Sequence, residues 1–334
     1  VNPKVSIIVP CYNEEGTISL LLEAIYGQSY DRSAMEVVIA DGMSTDDTRV
    51  RIEEFISGHP DLLVRVVENE KRKIPAGLNR AIENAEGDIL VRLDAHSAPD
   101  REYIARCEAA IERTSAANVG GVWEIKPSGD HWVSRGIAAA AGHPLGAGGA
   151  RYRSGGEPGE VDTVPFGAFP RRWIEKTGPF EDDLETNEDY EYNVRLKRAG
   201  GVIYFDPEIR STYYARPDVI SLARQYARYG FWKARMLWRY PSSVRWRQAI
   251  PPVFVSAVIV LGLLGFVIEP AWCLLAGVLG TYFVITCIAG CISALRNKDL
   301  GLVVGLPLAL WTMHFCWGGA FIWSMLTCWG RRSA

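Results

Sequence analysis

The chain has 334 residues, 48% of them hydrophobic, and a formal net charge of −3. That length allows two domains, and the apolar content exceeds what one soluble core needs; the surplus lies beyond residue 250, where few charges interrupt long apolar blocks. Basic residues gather in 216–249 and leave the part before residue 216 net acidic, which argues against nucleic acid as a partner.

Val5-Ser6-Ile7-Ile8-Val9 is a β-branched apolar run stopped by Pro10, the pattern of a buried strand. After the loop Pro10-Cys11-Tyr12-Asn13-Glu14-Glu15, Ile18, Leu21, Leu22 and Ile25 share one face of a helix predicted over 17–26. A second strand over 36–40 runs into Asp41-Gly42-Met43-Ser44-Thr45-Asp46-Asp47 and a helix over 48–56. A third over 63–68 precedes Lys71-Arg72-Lys73 and a helix over 76–85, and a fourth over 88–93 delivers Asp94-Ala95-His96. This alternation predicts right-handed crossovers and a Rossmann-like α/β domain with a mixed, mostly parallel sheet. Ligands of such sheets bind beyond the carboxyl ends of the strands, where Glu14, Asp41 and Asp94 all fall.

Asp94-x-His96 sets a carboxylate and an imidazole on one extended turn, able to face one divalent ion; oxygen and nitrogen ligands suit Mg²⁺ or Mn²⁺, the imidazole favouring Mn²⁺. Neither G-x-G-x-x-G nor G-x-x-x-x-G-K-[ST] follows any strand, which disfavours a dinucleotide dehydrogenase or a P-loop enzyme. Phosphates would then be held by metal and by Lys73 or Arg92. A Gly-rich stretch between Lys126 and Asp162 shows no periodicity and is expected to be an irregular flap that orders on binding. Farther on, Asn187-Glu188-Asp189-Tyr190-Glu191 opens a predicted helix ended by Gly200-Gly201, with Asn187 as cap and the acids at the positive end of its dipole. The seven cysteines show no paired spacing and read as small buried hydrophobes in a reducing compartment.

The order of these motifs resembles the inverting family 2 glycosyltransferases of the GT-A fold: Pro10-x-Tyr12-Asn13-Glu14-Glu15, Asp41-Gly42-x-Ser44-x-Asp46, Gly77-Leu78-Asn79-x-Ala81, Asp94-x-His96 and Asn187-Glu188-Asp189. The resemblance implies that Pro10, Tyr12, Asn13, Glu14, Asp41, Lys73 and Asp94 bind a nucleotide-sugar, with Glu14 and Asp41 reading ribose and base. Asp94 and His96 would hold the metal of the diphosphate, and Asp189, with Glu188 beside it, would supply the catalytic base. His96 departs from the second Asp that many members carry. The later segments Val164-Pro165-Phe166-Gly167-Ala168-Phe169-Pro170-Arg171-Arg172 and Arg224-Gln225-Tyr226-Ala227-Arg228-Tyr229-Gly230 are similar to those of membrane-bound bacterial exopolysaccharide glycosyltransferases of the succinoglycan glucosyltransferase type. That likeness implies glucose from UDP-glucose as the transferred hexose and an inner-membrane, multi-pass protein. It also places an acceptor or its diphosphate at Gly167, Ala168, Gln225, Arg228 and Tyr229. A membrane-anchored nucleotide-sugar sensor or inactive scaffold is the alternative, and it would have no need of Asp189.

From 216 to 249 basic and aromatic residues interleave, as in an amphipathic segment lying on anionic headgroups. Apolar blocks at 250–268, 271–295 and 302–329 follow, each long enough for a bilayer core that needs ~20 residues. The expected division is therefore a catalytic domain over 1–215, interfacial helices over 216–249 and a transmembrane region over 250–334. Basic residues before the first block, and no signal peptide before Val5, place the catalytic domain on the cytoplasmic side. A third simple crossing would put Arg331-Arg332 outside, so Pro307 or Gly318-Gly319 could instead break the last block into a re-entrant pair. Three spans beside a cytoplasmic site suggest an acceptor that cannot leave the bilayer, a polyprenyl-diphosphate-linked sugar whose phosphates would meet Arg224, Arg228 or Lys233.

Overall fold

The computed structural model describes residues 4–184, 186–241 and 246–328. Arg245 and Arg331-Arg332 lie outside them. Two compact units emerge, one formed by residues up to 124 together with 150–213, the other by 125–149 together with 214 onward.

The first unit begins with strand β1 (Val5–Cys11), helix α1 (Ile18–Tyr26), β2 (Met35–Asp41), α2 (Thr48–Gly58), β3 (Leu63–Glu68), α3 (Ile74–Asn84) and β4 (Ile89–Arg92). Every residue of β1 and β2 is buried, which is why they read as continuous apolar runs: a parallel strand covered on both faces has no solvent side for polar residues. Parallel ladders join β1 to β2 in register Val5 with Met35, β1 to β4 and β2 to β3. Short elements follow: β5 (Ala98–Pro99), α4 (Tyr103–Thr114) and β6 (Asn118–Lys126). Helices α5 (Trp132–Gly142) and α6 (Pro144–Ala147) belong to the second unit. The chain then returns with α7 (Arg151–Ser154), β7 (Gly159–Glu160), β8 (Ala168–Pro170), α8 (Arg171–Thr177), α9 (Glu188–Arg198) and β9 (Ile203–Tyr214). The sheet runs β3-β2-β1-β4-β8-β6-β9-β5, with β7 on β9, so a parallel half is extended by antiparallel strands from β8 onward. One buried acid is built into its centre: Glu36 accepts from Ser6 Oγ and the Glu86 amide, each at 2.6 Å, and pairs with Arg65.

In the second unit, α10 (Val219–Arg239) is one helix whose buried face carries Leu222, Gln225, Tyr226, Gly230, Lys233 and Met236. Asp218 caps it by accepting from the Ser221 amide at 2.9 Å. Helices α11 (Trp246–Leu264), α12 (Pro270–Asn297) and α13 (Leu302–Cys328) are each long and apolar enough to cross a membrane. Helix α13 continues through Pro307 and Gly318-Gly319, so the break expected of a re-entrant pair is not there. Of the cysteines, Cys11 and Cys107 are buried as expected, whereas Cys287 and Cys316 are half-buried and Cys273 and Cys291 exposed, on long apolar helices that turn many apolar side chains outward.

The irregular flap expected between Lys126 and Asp162 is corrected by the structure. Its first part is the helical pair α5 and α6, held to α13 and the turn before it: Arg135 forks onto Asp299 at 2.6 and 3.2 Å, and His314 bridges Tyr282 Oη at 2.7 Å and the Leu145 carbonyl at 3.0 Å. Gly136 in α5 lies against Gly305 in α13 so closely that a Cβ would overlap the Gly305 backbone. Glycine, poor for a helix in isolation, here permits two backbones to approach. Gly136→Leu is therefore expected to destabilise the second unit by ~1–3 kcal/mol. Thermal unfolding in detergent checks this against Gly129→Leu, a control at a position where a Cβ meets nothing within 4 Å; equal melting temperatures would refute the contact's importance.

Candidate active site

The site gathers at the carboxyl ends of β1, β2 and β4. The loops after β1 and β2 are hydrogen-bonded to each other: Asn13 N donates to Ser44 Oγ at 2.9 Å, Thr45 N to Asn13 Oδ1 at 2.9 Å, Glu14 N to Thr48 Oγ1 at 2.8 Å and Asp47 N to Glu15 Oε2 at 3.0 Å. Asn13 and Met43 adopt left-handed backbone (φ 53° and 62°) to make these turns, a conformation Asn tolerates better than most residues. Asp41 is fully buried; its carboxylate accepts from the Ser44 amide and hydroxyl and pairs with Arg49, so its visible work is to order the 41–47 turn. Pro10 lies inside the sheet beneath α3, and Tyr12 is 42% exposed with the Arg72 guanidinium 5.8 Å from its ring centroid. Lys73 Nζ reaches the Asp182 carbonyl at 3.4 Å, on a segment that Asn79 also holds through the Phe180 carbonyl and amide, each at 2.8 Å.

Glu14 faces His96: Nδ1 lies 3.1 Å from Oε1, and Thr17 Oγ1 donates to Oε2 at 2.5 Å. Burial pushes the Glu14 carboxyl up, but the hydrogen bonds from His96 and Thr17 outweigh it and hold the group below its ordinary value. The structure thus brings together two residues that sequence reading had assigned to separate tasks.

Beneath them lies a buried cluster. Arg92, at the end of β4, donates from Nε to Asp94 Oδ1 at 3.1 Å and from Nη2 to Glu188 Oε1 at 2.8 Å, while its Nη1 is buried without a hydrogen-bond partner among the described residues. Burial lowers the guanidinium's pKa, yet Asp94 and Glu188 outweigh it, so the side chain stays charged. Burial drives the carboxyls of Glu188 and Asp189 upward, with Arg92 opposing the shift in both. Arg92 was foreseen only as a phosphate contact. The stronger signal was an arginine closing an apolar strand, since arginine is almost never fully buried unless paired, and it shares its strand face with Asp94 two residues on.

Glu188 and Asp189 are set by the first turn of α9, which is anchored by Tyr192, fully buried and stacked on Phe180 at 4.1 Å. Asn187 stands at the N-cap as expected but makes no capping bond with its side chain; its φ of 68° bends the chain into the helix instead. Asp189 Oδ1 accepts from the Tyr190 amide at 2.7 Å. The helix ends at the glycine pair as read, Gly201 N donating to the Leu196 carbonyl at 2.9 Å. Gly167 (φ 104°) and Ala168 line the neighbouring strand: the Gly167 carbonyl accepts from the Arg92 amide at 2.9 Å, and a Cβ there would overlap Asn118. Gln225 and Tyr229 belong to the second unit, where Gln225 Nε2 donates to Tyr229 Oη at 2.9 Å; Arg224 and Arg228 on the same helix are exposed.

The model of glycosyl transferase family 2 matches residues 6–178. A Methanococcus voltae protein named dolichyl N-acetyl-alpha-D-glucosaminyl phosphate 3-beta-D-2,3-diacetamido-2,3-dideoxy-beta-D-glucuronosyltransferase is 27% identical over 317 residues, 93% of either chain. The succinoglycan biosynthesis protein ExoA of Rhizobium meliloti (strain 1021) is 30% identical over 253 residues, 73% of either chain. Among solved structures, the mannosyltransferase PcManGT from Pyrobaculum calidifontis in complex with GDP-Man and Mn²⁺ superposes with a TM-score of 0.63 at 22% identity, over 99% of this chain and 89% of that one, and shares its fold. The strand order, the acids at the strand ends and these likenesses agree that the chain belongs to glycosyl transferase family 2 and is a glycosyltransferase of GT-A fold.

Proposed function

We propose that this enzyme transfers a hexose, glucose in the first instance, from a UDP-sugar to a sugar carried on a membrane-embedded polyprenyl diphosphate, with inversion at the anomeric carbon. The observation that carries the reading is Asp189 on the first turn of α9, beside the buried pair Arg92 and Glu188 and the half-buried Asp94. An acceptor hydroxyl attacks the anomeric carbon; the new C–O bond forms as the bond to the nucleotide's phosphate oxygen breaks, and the hydroxyl proton passes to the Asp189 carboxylate. One carboxylate suffices for an inverting displacement whose leaving group is a nucleoside diphosphate that needs no protonation. The loops at Tyr12–Glu14 and Asp41–Asp47 form the nucleotide pocket, with the Tyr12 ring exposed for stacking and Asp41 fixing the turn.

The residues present fit a divalent ion. Asp94 has one oxygen engaged by Arg92, and His96 stands on the same turn; no group of three protein ligands occurs among the described residues. That is the donor set of an ion held by one or two side chains, with substrate phosphates and water completing its shell. Such an ion would neutralise charge on the departing diphosphate. Support for the acceptor comes from the M. voltae relative, whose name specifies a dolichyl-phosphate sugar, and for polysaccharide assembly from the succinoglycan protein. Three apolar helices suit an inner-membrane enzyme with its catalytic unit on the cytoplasmic face.

Purified protein in detergent, offered UDP-, GDP- and dTDP-sugars with a lipid-linked acceptor, tests the reading. UDP-glucose should be consumed only with Mg²⁺ or Mn²⁺ present, and Asp94→Ala should weaken donor binding and abolish rescue by added metal. Undiminished transfer in EDTA would refute the metal site, and preference for GDP- or dTDP-sugars would refute the donor.

A further inference from the structure

Between α10, α11 and α13, wholly within the second unit, lies a cavity of about 380 Å³. Leu237, Pro252, Val253, Trp317 and Phe321 give it apolar walls, and Lys233 is the one charged side chain among its described lining residues. Lys233 is 3% exposed, on the buried face of α10 and two turns beyond Gln225, with Nζ 3.8 Å from Met236 Sδ. Of the three basic residues to which the sequence assigned the acceptor's phosphates, Arg224, Arg228 and Lys233, the two arginines are exposed on the other side of the same helix, and Lys233 alone lines the cavity.

We propose that this cavity binds the head of a single-chain isoprenoid phosphate, with Lys233 on the phosphate and the first isoprene units along Val253, Trp317 and Phe321. A cation at an apolar cavity complements an amphiphile whose anionic head is joined directly to hydrocarbon. The charge gains a fixed counter-charge in a medium where such pairing is strong, and the chain stays in surroundings as apolar as the bilayer. Its volume is near the lower end of the ~300–1,000 Å³ typical of small-ligand pockets, room for a phosphate and the start of one chain. The walls come from two helices long and apolar enough to cross a membrane, so such a lipid reaches the cavity laterally from the bilayer. The assignment rests on the lipid-linked acceptor proposed above and gives it a place: the carrier's phosphate sits at Lys233, not on the exposed arginines.

The test uses full-length protein in phosphatidylcholine nanodiscs and a polyprenyl monophosphate with a diazirine in its first isoprene unit, so that binding is read without turnover. Photolabel is expected in peptides covering 248–256 and 317–326. Lys233→Gln should lower labelling at least about tenfold, the worth of a charge-assisted hydrogen bond, and raise the KM for lipid-linked acceptor without changing that for the nucleotide-sugar. Lys233→Arg should retain most labelling. Val253→Trp, which fills the cavity and leaves the charge, should abolish it. Excess phosphatidylglycerol or inorganic phosphate should not compete. Label outside these peptides, wild-type labelling of Lys233→Gln or Val253→Trp, or equal competition by phosphatidylglycerol would overturn the site. The same preparation assayed for sugar transfer separates the two ideas. Labelling here without transfer to any lipid-linked sugar would defeat the proposed function and leave the site standing; transfer with label elsewhere would defeat the site alone.

Discussion

Replacing Asp189 by Asn is expected to lower sugar transfer by about 10²–10⁴-fold, the usual worth of a positioned general base, while nucleotide-sugar affinity stays at the wild-type level. The substitution keeps the volume and the bond from the Tyr190 amide to Oδ1, so α9 and its buried Tyr192 are undisturbed. Only the capacity to accept a proton is removed. The pH profile gives a second reading of the same role. In the proposed role Asp189 must be ionised, and burial raises its pKa against the pull of Arg92. Activity is therefore lost as pH falls through that raised value, an acid limb lying above the ~3.9 of an ordinary Asp, and the limb vanishes from the residual rate of the variant. Near wild-type turnover in Asp189→Asn would remove the residue from the mechanism.

The largest structural effect is expected at Arg92. Arg92→Met removes the cation that pairs with Asp94 and Glu188 and leaves the buried Glu188 without that partner, a change that costs ~3–5 kcal/mol. For a unit of this size the loss corresponds to a drop in melting temperature of roughly 6–20 °C. The pH dependence follows from Glu188, whose folded-state pKa is already raised by burial and rises further without Arg92. A carboxyl with a raised folded pKa binds protons more tightly when folded, so it favours the fold at low pH and that contribution is lost as pH rises through the shifted value. The deficit of Arg92→Met should therefore be smaller near pH 5 than near pH 8, and Glu188→Gln in the same chain should recover part of it. A melting temperature unchanged at both pH values would show that the cluster does not depend on Arg92.

The parallel half of the sheet was legible because β1, β2 and β4 are covered on both faces and therefore spell themselves as apolar runs between recognisable loops. The antiparallel half was not. Strands β5 and β7 have two residues and β8 three, too short for any period, and the longer β6 and β9 are interrupted by Gly120-Gly121 and by Asp206-Pro207-Glu208, residues that break a strand pattern. Helix α5 was hidden for another reason: Ala138–Ala141 favour a helix, but the Gly-rich stretch around them was read as one loop, and the contact that seats the helix is with Gly305, 169 positions along from Gly136. The site divides in the same way. Glu14, Asp41 and Asp94 could be placed from strand ends alone, whereas the bond from Arg92 to Glu188 spans 96 positions, and nothing local announces it.

The attachment of α5 and α6 to the apolar helices has a practical consequence for anyone who wishes to handle the catalytic unit alone. Residues 125–149 depart from that unit after Glu124 and rejoin it at Ala150, so the polypeptide visits the other unit and comes back before α9 has even been synthesised. A soluble fragment made by stopping translation near residue 215 or 241 would still contain α5, with the glycine face that fits Gly305 and the arginine that forks onto Asp299 both facing water. Such a fragment would carry an adhesive flank and be a poor measure of the intrinsic catalyst. A better excision removes two pieces: everything after about residue 213, and the internal detour itself, replaced by a short linker between Glu124 and Ala150. The second unit is thus made from two separate stretches of one chain, 125–149 and 214 onward, and neither can be exchanged for foreign sequence without a matching change in the other.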